Sequence, residues 1–371
     1  MTSDYFFLQG EHMKKYNPKS FYYDNSFILG FIGVIFFILL GGRGCGKTFS
    51  TQKYCIKRWL KKHEPFCWLR LKEPSVRKLL ANNGHDFIDA KLIEMYNLDK
   101  YEWKVRSNVI YLDGIEFCRI LALSTFYQDK GVALNGKIKT SQLKTTNDLA
   151  NKRLRSQLQK YNTLVLDEMN AERSEKRTFD IVYALVNQLE TLCRLDTDKR
   201  VFMLGNTLDE GSDILAQCFK FIPNEYGVYH IKSKRAVIHY IEDSPKYREA
   251  RKKSIAGILA PDESTFTNKI ESDVDLIVKD KKYLSKPPSY VINFGKGRER
   301  YLVYDNVITS RKIPEGFDSE VSMVPYTPGL SYNKAIVDSI ITRVQMRQFN
   351  FDMLYTLKKF YRNIRLLKDT K

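Results

Sequence analysis

An α/β fold organised on a central, mostly parallel sheet of the phosphate-loop type is predicted by three stretches of the chain. Residues 34–48 read V-I-F-F-I-L-L-G-G-R-G-C-G-K-T, residues 163–168 read T-L-V-L-D-E, and residues 200–207 read R-V-F-M-L-G-N-T. Each is a continuous apolar run, as expected of a strand covered on both faces, and each ends in small or polar residues at one shared sheet edge. At 371 residues the chain exceeds the length at which single cores stop growing, so more than one domain is expected. The reading is a first domain over 1–241, with a lid or insertion at about 124–160, a helical linker over 242–272 and a small α+β domain over 273–371.

The first stretch carries the most specific chemistry. Gly41-Gly42-Arg43-Gly44-Cys45-Gly46-Lys47-Thr48 meets every position of the pattern G-x-x-x-x-G-K-[ST]. The glycines let the backbone turn its N–H groups inward around phosphate oxygens, and a helix starting there aims its positive end at the same anion. Lys47 is placed to reach the β- and γ-phosphates of ATP, and the Thr48 hydroxyl to hold Mg²⁺. A glycine-rich structural turn is the plainer alternative. Context weighs against it, because a buried-strand run precedes the motif and a helical stretch over 48–63 follows it.

Taken in order, residues 1–23 are polar and aromatic, with a turn signal at Asn17-Pro18, and read as an arm laid over the first domain. No basic stretch followed by an apolar core and a cleavage site opens the chain, so no signal peptide is expected. Residues 27–40 are apolar apart from Gly30 and Gly33 but fall short of the ~20 residues that span a bilayer. Their second half is needed as the strand that delivers the loop, so a buried strand with an apolar approach is predicted, with no stable membrane association. Beyond the loop, Lys53, Lys57, Arg58, Lys61 and Lys62 read as a solvated helix face, and 66–71 as a strand with Arg70 near its end. The runs 109–112 and 115–123 flank Asp113-Gly114, the strongest short-range hairpin signal. Residues 124–160 turn to Lys, Asn, Thr, Gln and Ser, which suits a lid or a polyanion-facing insertion, or plain solvated loop.

The second motif is the strand ending in Asp167-Glu168. Two carboxylates at the C-terminal edge of the sheet sit beside the phosphate loop, where Asp167 completes the Mg²⁺ shell and Glu168 polarises an attacking water. An apolar run before D-E is common alone; paired with a full phosphate loop it becomes specific. Residues 179–194 read as an amphipathic helix with Phe179, Val182, Val186, Leu189 and Cys193 on one stripe. Asn206, at the next strand tip, can sense the γ-phosphate or water, or simply cap a turn. Runs 228–231 and 236–241 fit a closing hairpin, and Ser244-Pro245 opens a charged helix over 243–255.

The second domain shows strand-like runs at 289–294 and 301–307 and helices over 333–347 and 355–367. Its tail interleaves Arg343, Arg347, Lys358, Lys359, Arg362, Arg365 and Lys368 with Phe349, Phe351, Tyr355, Phe360 and Tyr361. That mixture suits phosphate pairing with base stacking, and suits equally a domain core beside a basic surface. The net charge of +18 points to a polyanionic partner. Six cysteines without a C-x-x-C or clustered histidines exclude a zinc site or disulfide framework as the organising device.

With these motifs in place, the chain resembles the small DNA-packaging ATPases of phi-29-like short-tailed phages, terminase-type motors of the additional-strand, catalytic-glutamate (ASCE) class of P-loop proteins. The likeness includes Tyr16-Asn17-Pro18 and Tyr23-Asp24 before the first strand, the Asp113-Gly114 hairpin, the segment around Arg194 and a basic C-terminal domain. It is strong to about residue 240 and weak after it. It implies a ring of copies, five by analogy, at the portal vertex of an empty capsid in the host cytoplasm, driving double-stranded DNA inward with ATP. A portal or connector and a packaging RNA are the implied further partners. Carried across by position, Arg194 becomes an arginine finger that reaches a neighbour's γ-phosphate, and Arg153 or Arg155 a second trans-acting cation. The C-terminal domain would resemble a degenerate RNase H-like nuclease, with Asp305 the one carboxylate close to a strand tip. The apolar approach over 27–33 departs from the family by its greater length.

Two other readings belong to different classes. A helicase or replication ATPase would share the nucleotide site and add a single-strand groove; a membrane-docked assembly or secretion protein would use 27–40 as an anchor and nucleotide as a switch. No N-K-x-D guanine-reading motif is present, so GTP is disfavoured.

Overall fold

The computed structural model describes residues 5–7, 21–129, 161–170, 179–193, 196–206, 212–223, 225–259, 276–278, 280–295, 298–325, 329–330 and 332–368. Arg153, Arg155, Arg194 and most of the expected insertion lie outside the described residues. The chain divides into two compact units, Met1–Ile214 with Glu225–Lys269, and Leu215–Asn224 with Ile270–Lys371.

Among the described residues of the first unit, ten strands form one sheet. They are β1 (Tyr5–Phe7), β2 (Phe36–Leu40), β3 (Phe66–Arg70), β4 (Trp103–Arg106), β5 (Val109–Leu112), β6 (Ile115–Ala122), β7 (Thr163–Asp167), β8 (Arg200–Gly205), β9 (Gly227–Ile231) and β10 (Ala236–Tyr240). Their spatial order is β1-β9-β10-β2-β8-β7-β3-β6-β5-β4. The six central strands run parallel, from β10 to β6, and antiparallel strands close both ends. This is the mostly parallel sheet that the apolar runs predict. Parallel strands are buried on both faces, which is why β2, β3, β7 and β8 read as unbroken apolar sequence. Helix α1 (Lys47–Lys62), the first after the loop, buries Cys55, Ile56 and Trp59 in a core shared with Phe66, Trp68, Phe87 and Phe117. The Trp59 indole N–H donates to the Glu116 carbonyl at 2.9 Å, so that a large ring is buried without stranding its polar edge.

Short helices α2 (Glu73–Leu80) and α3 (Ala90–Met95) follow β3, and Asp89 caps α3 through the Lys91 N–H. Asp113 and Gly114 both hold positive φ, 49° and 74°, the two-residue turn whose twist matches an antiparallel pair. Helix α4 (Ile181–Cys193) corrects one expectation. Its inward face is Ala184, Leu185, Gln188 and Leu192, while Val186 of the predicted stripe is exposed. The helix is apolar on more than one side, so spacing alone selects no face. In the approach to β2, only Phe36–Leu40 is strand; Phe27, Leu29 and Phe31 pack against the core and Ile32 is exposed. Among the described residues no helix is long and apolar enough to cross a membrane. Helices α5 (Pro245–Lys252) and α6 (Ile255–Leu259) lie in the stretch expected to begin a linker and cluster with the first unit.

The second unit carries a five-stranded mixed sheet, β14 (Glu320–Ser322), β11 (Tyr290–Asn293), β12 (Arg300–Tyr304), β13 (Val307–Thr309) and β15 (Asn350–Phe351) in spatial order, with helices α7 (Lys334–Gln345) and α8 (Leu354–Lys368). Here the structure decides what composition left even. Phe349, Phe351, Tyr355 and Phe360 are buried, with Phe360 against Phe294, Tyr301 and Phe351, so these rings build the core rather than a stacking platform. Asp305 occupies a turn with φ 52° and pairs with Lys286 at 2.9 Å, away from any acidic cluster among the described residues.

Candidate nucleotide site

Strand β2 delivers the loop at a fixed height, because Leu40 is in register with Gly205 of β8 and the Gly41 N–H donates to the Gly205 carbonyl at 3.3 Å. The loop then turns into α1 through Gly46, whose φ of 108° is strained for any side chain. A Cβ there would also lie 3.0 Å from Tyr22 Cβ and 3.1 Å from the Tyr23 nitrogen. Lys47 opens the helix and is buried, its ammonium donating to the carbonyls of Gly41 and Gly42 at 2.8 Å each. The Cys45 thiol stands 3.7 Å from that ammonium, and burial raises its pKa, so it stays a neutral wall of the loop.

The acids arrive from β7, separated from β2 by β8. Asp167 Oδ1 faces the Thr48 hydroxyl at 3.4 Å, while its Oδ2 accepts from Arg70 Nη1 at 2.7 Å. Arg70 Nη2 reaches Glu168 Oε2 at 2.8 Å. One guanidinium at the tip of β3 therefore bridges both carboxylates, a planar fork matched to two acceptors. Glu168 has a φ of 60°, in the left-handed region. The next residue fixes that turn, since the Met169 N–H donates to the Leu204 carbonyl at 2.8 Å. A non-glycine residue held there costs on the order of 1–3 kcal/mol and is most often found where side-chain placement matters.

Loop and acids share a cleft of ≈ 590 Å³, the size of a small-ligand site, which Asn206 also lines. At one side of it, Tyr22 stacks on Phe49 with centroids 6.3 Å apart, and Lys91 Nζ lies 5.7 Å from the Tyr22 ring centre. The glycine cradle, a buried lysine and a hydroxyl facing a carboxylate fit a nucleotide with a divalent cation. The Tyr22 segment is pinned from behind, with the Tyr23 N–H donating to the Cys45 carbonyl at 2.8 Å and its hydroxyl bonded to His239 Nδ1 at 3.1 Å.

Burial pushes His239 down to about 3 from an ordinary 6.5. The unfolded chain takes up this proton as pH falls through 6.5 and the folded chain does not, so stability falls with pH across the window from 6.5 to 3, by about 1.4 kcal/mol per unit. His239→Asn is expected to flatten the pH dependence of Tm between pH 6 and 4. An unchanged slope would remove His239 as the acid-sensitive group.

Of the residues singled out in the sequence, the structure brings Gly41, Gly42, Arg43, Gly44, Cys45, Gly46, Lys47, Thr48, Asp167, Glu168 and Asn206 to one edge of one sheet. Arg194 lies outside the described residues. The chain leaves α4 at Cys193 and is seen again at Asp196, paired with Lys199 at 3.3 Å, at the sheet edge where β8 begins and opposite the loop. Sequence reading missed the part played by Arg70; a lone basic residue ending an apolar strand was the only signal.

Residues 17–145 match the family model described as the Podovirus DNA encapsidation protein (Gp16). A DNA packaging protein of Bacillus phage B103 is 22% identical over 262 residues, covering 67% of this chain and 68% of that protein. Among solved structures, the bacteriophage Phi-29 viral genome packaging motor assembly aligns with a TM-score of 0.58 at 19% identity, over 94% of this chain and 100% of that one. The Phi-28 gp11 DNA packaging motor aligns with a TM-score of 0.53 at 17% identity, over 94% and 98%. The structural likeness is one of fold, and together with the sequence matches it bears out the resemblance to phi-29-like packaging ATPases.

Proposed function

We propose that this relative of the phi-29-like packaging ATPases hydrolyses ATP with Mg²⁺ to drive double-stranded DNA into an empty capsid, as a ring of copies at the portal vertex in the host cytoplasm. The observation that carries the reading is the meeting, at one sheet edge, of the phosphate loop, Thr48, Asp167, Arg70 and Glu168. Lys47 exchanges its two carbonyl partners for β- and γ-phosphate oxygens, and Thr48 with Asp167 would hold Mg²⁺, which neutralises phosphate charge when bound. Glu168 orients and deprotonates the attacking water. In the arrangement described, Arg70 holds one oxygen of that carboxylate by an ion pair, which fixes the side chain beside the loop. The insertion of β8 between β2 and β7 supports the additional-strand class. The stacked Tyr22 and Phe49 at one side of the cleft would offer the base an aromatic wall.

The second unit, with its basic residues over a packed aromatic core, is read as a nucleic-acid-binding domain resembling a degenerate RNase H-like nuclease that does not cut. A ring of five, a portal partner and a packaging RNA rest on the family resemblance. The deciding measurement is the ATPase rate alone and with double-stranded DNA, single-stranded DNA or RNA. Stimulation by double-stranded DNA that fades steeply with salt, as counterion release requires, is expected. Stimulation by single strands alone would favour a helicase.

A further inference from the structure

We propose that Tyr247, on α5 and outside the nucleotide cleft, is a positioning residue for the phosphate loop. It sets the loop's Arg43–Gly44 peptide for phosphate binding and ties nucleotide occupancy to the docking of α5. The inference rests on the nucleotide reading of the site and adds a residue that no loop or acid motif contains.

The Tyr247 hydroxyl donates to the Arg43 carbonyl at 2.5 Å. The structure has no cis peptide among its described residues, and in a trans peptide the C=O and the following N–H point in opposite directions. Holding the Arg43 carbonyl on Tyr247 therefore turns the Gly44 N–H away from Tyr247, and Gly44, Gly46 and Lys47 all line the cleft. Gly44 is shaped for this contact. Its φ is 74°, and a Cβ on it would stand 2.5 Å from the Tyr247 hydroxyl oxygen.

Tyr247 is itself held from several sides. Ser244 caps α5 by accepting the Tyr247 N–H at 3.2 Å, and its hydroxyl donates to the Phe21 carbonyl at 3.1 Å. The Tyr247 ring meets Phe21 edge-on at 5.5 Å and carries the Arg251 guanidinium 5.7 Å from its centre. Arg251 also pairs with the buried Asp243 at 3.4 Å. Breaking the contact from the tyrosine side therefore disturbs the packing that docks α5. By linkage, a phosphate that favours the Arg43 carbonyl held on Tyr247 also favours the docked helix, and the docked helix favours phosphate to the same degree.

Tyr247→Phe tests the inference, because it deletes the hydroxyl and keeps the ring packing. Calorimetry of the full chain with MgADP and with adenosine is the readout. Losing one hydrogen bond should weaken MgADP by roughly three- to tenfold while adenosine, which lacks phosphate, binds as before. In the parent, MgADP should slow hydrogen exchange over residues 245–252, and in the variant that protection should be lost. The ratio of the two affinities is independent of the folded fraction. Equal losses for both ligands, or an unchanged MgADP affinity, would overturn the proposal. A parent chain that binds no MgADP would instead defeat the nucleotide reading on which it rests.

Discussion

Arg194→Ala leaves ATP binding nearly intact and removes most of the hydrolysis, a fall of about 10³–10⁵ if the residue acts as an arginine finger. The expectation rests on the family position of Arg194, which the resemblance implies. A surface ion pair with Glu190 or Asp196 is the plainer role, and its loss would cost only about 0–1 kcal/mol of stability. Mixed assembly separates the two. Rings combining Arg194→Ala copies with Glu168→Gln copies should regain activity wherever an intact Glu168 site faces an intact Arg194. Mixtures that stay inactive at every ratio, although each variant assembles and binds ATP, would end the trans-finger reading.

Glu168→Gln should bind MgATP and hydrolyse it about 10²–10⁴ times more slowly, since the amide keeps the shape of the side chain and cannot accept the proton of water. The ion pair with Arg70 sharpens this expectation. Glu168 is about half exposed, and its carboxylate is held 2.8 Å from Arg70 Nη2, while the same guanidinium also holds Asp167. A Gln cannot form that charged contact, so the variant should bind nucleotide at least as well as the parent even as turnover fails. Single-turnover hydrolysis with equilibrium binding of MgATP measures both. Turnover at the parent rate would reduce Glu168 to a turn residue whose φ of 60° is merely structural.

The sequence alone determined what local pattern and covalent geometry specify. Unbroken apolar runs announce strands buried on both faces, the Asp113-Gly114 pair fixes a turn with two positive φ values, and the glycine, lysine and threonine spacing of the loop is fixed by the phosphate it would wrap. These are short-range constraints, and the structure forms the strands and the turn at Asp113-Gly114. The tertiary structure decided what depends on residues distant in the chain. An apolar run says that a strand is buried and not beside which strand, so the place of β8 between β2 and β7, and of β10 against β2, was not legible. The same limit hid Arg70, which acquires both acids only because β3 lies next to β7, and Tyr247, which meets the loop 204 positions away. It also misassigned the buried face of α4 and left open the rings of α8, because spacing states how often a residue returns to one side of a helix and not which side the core will cover.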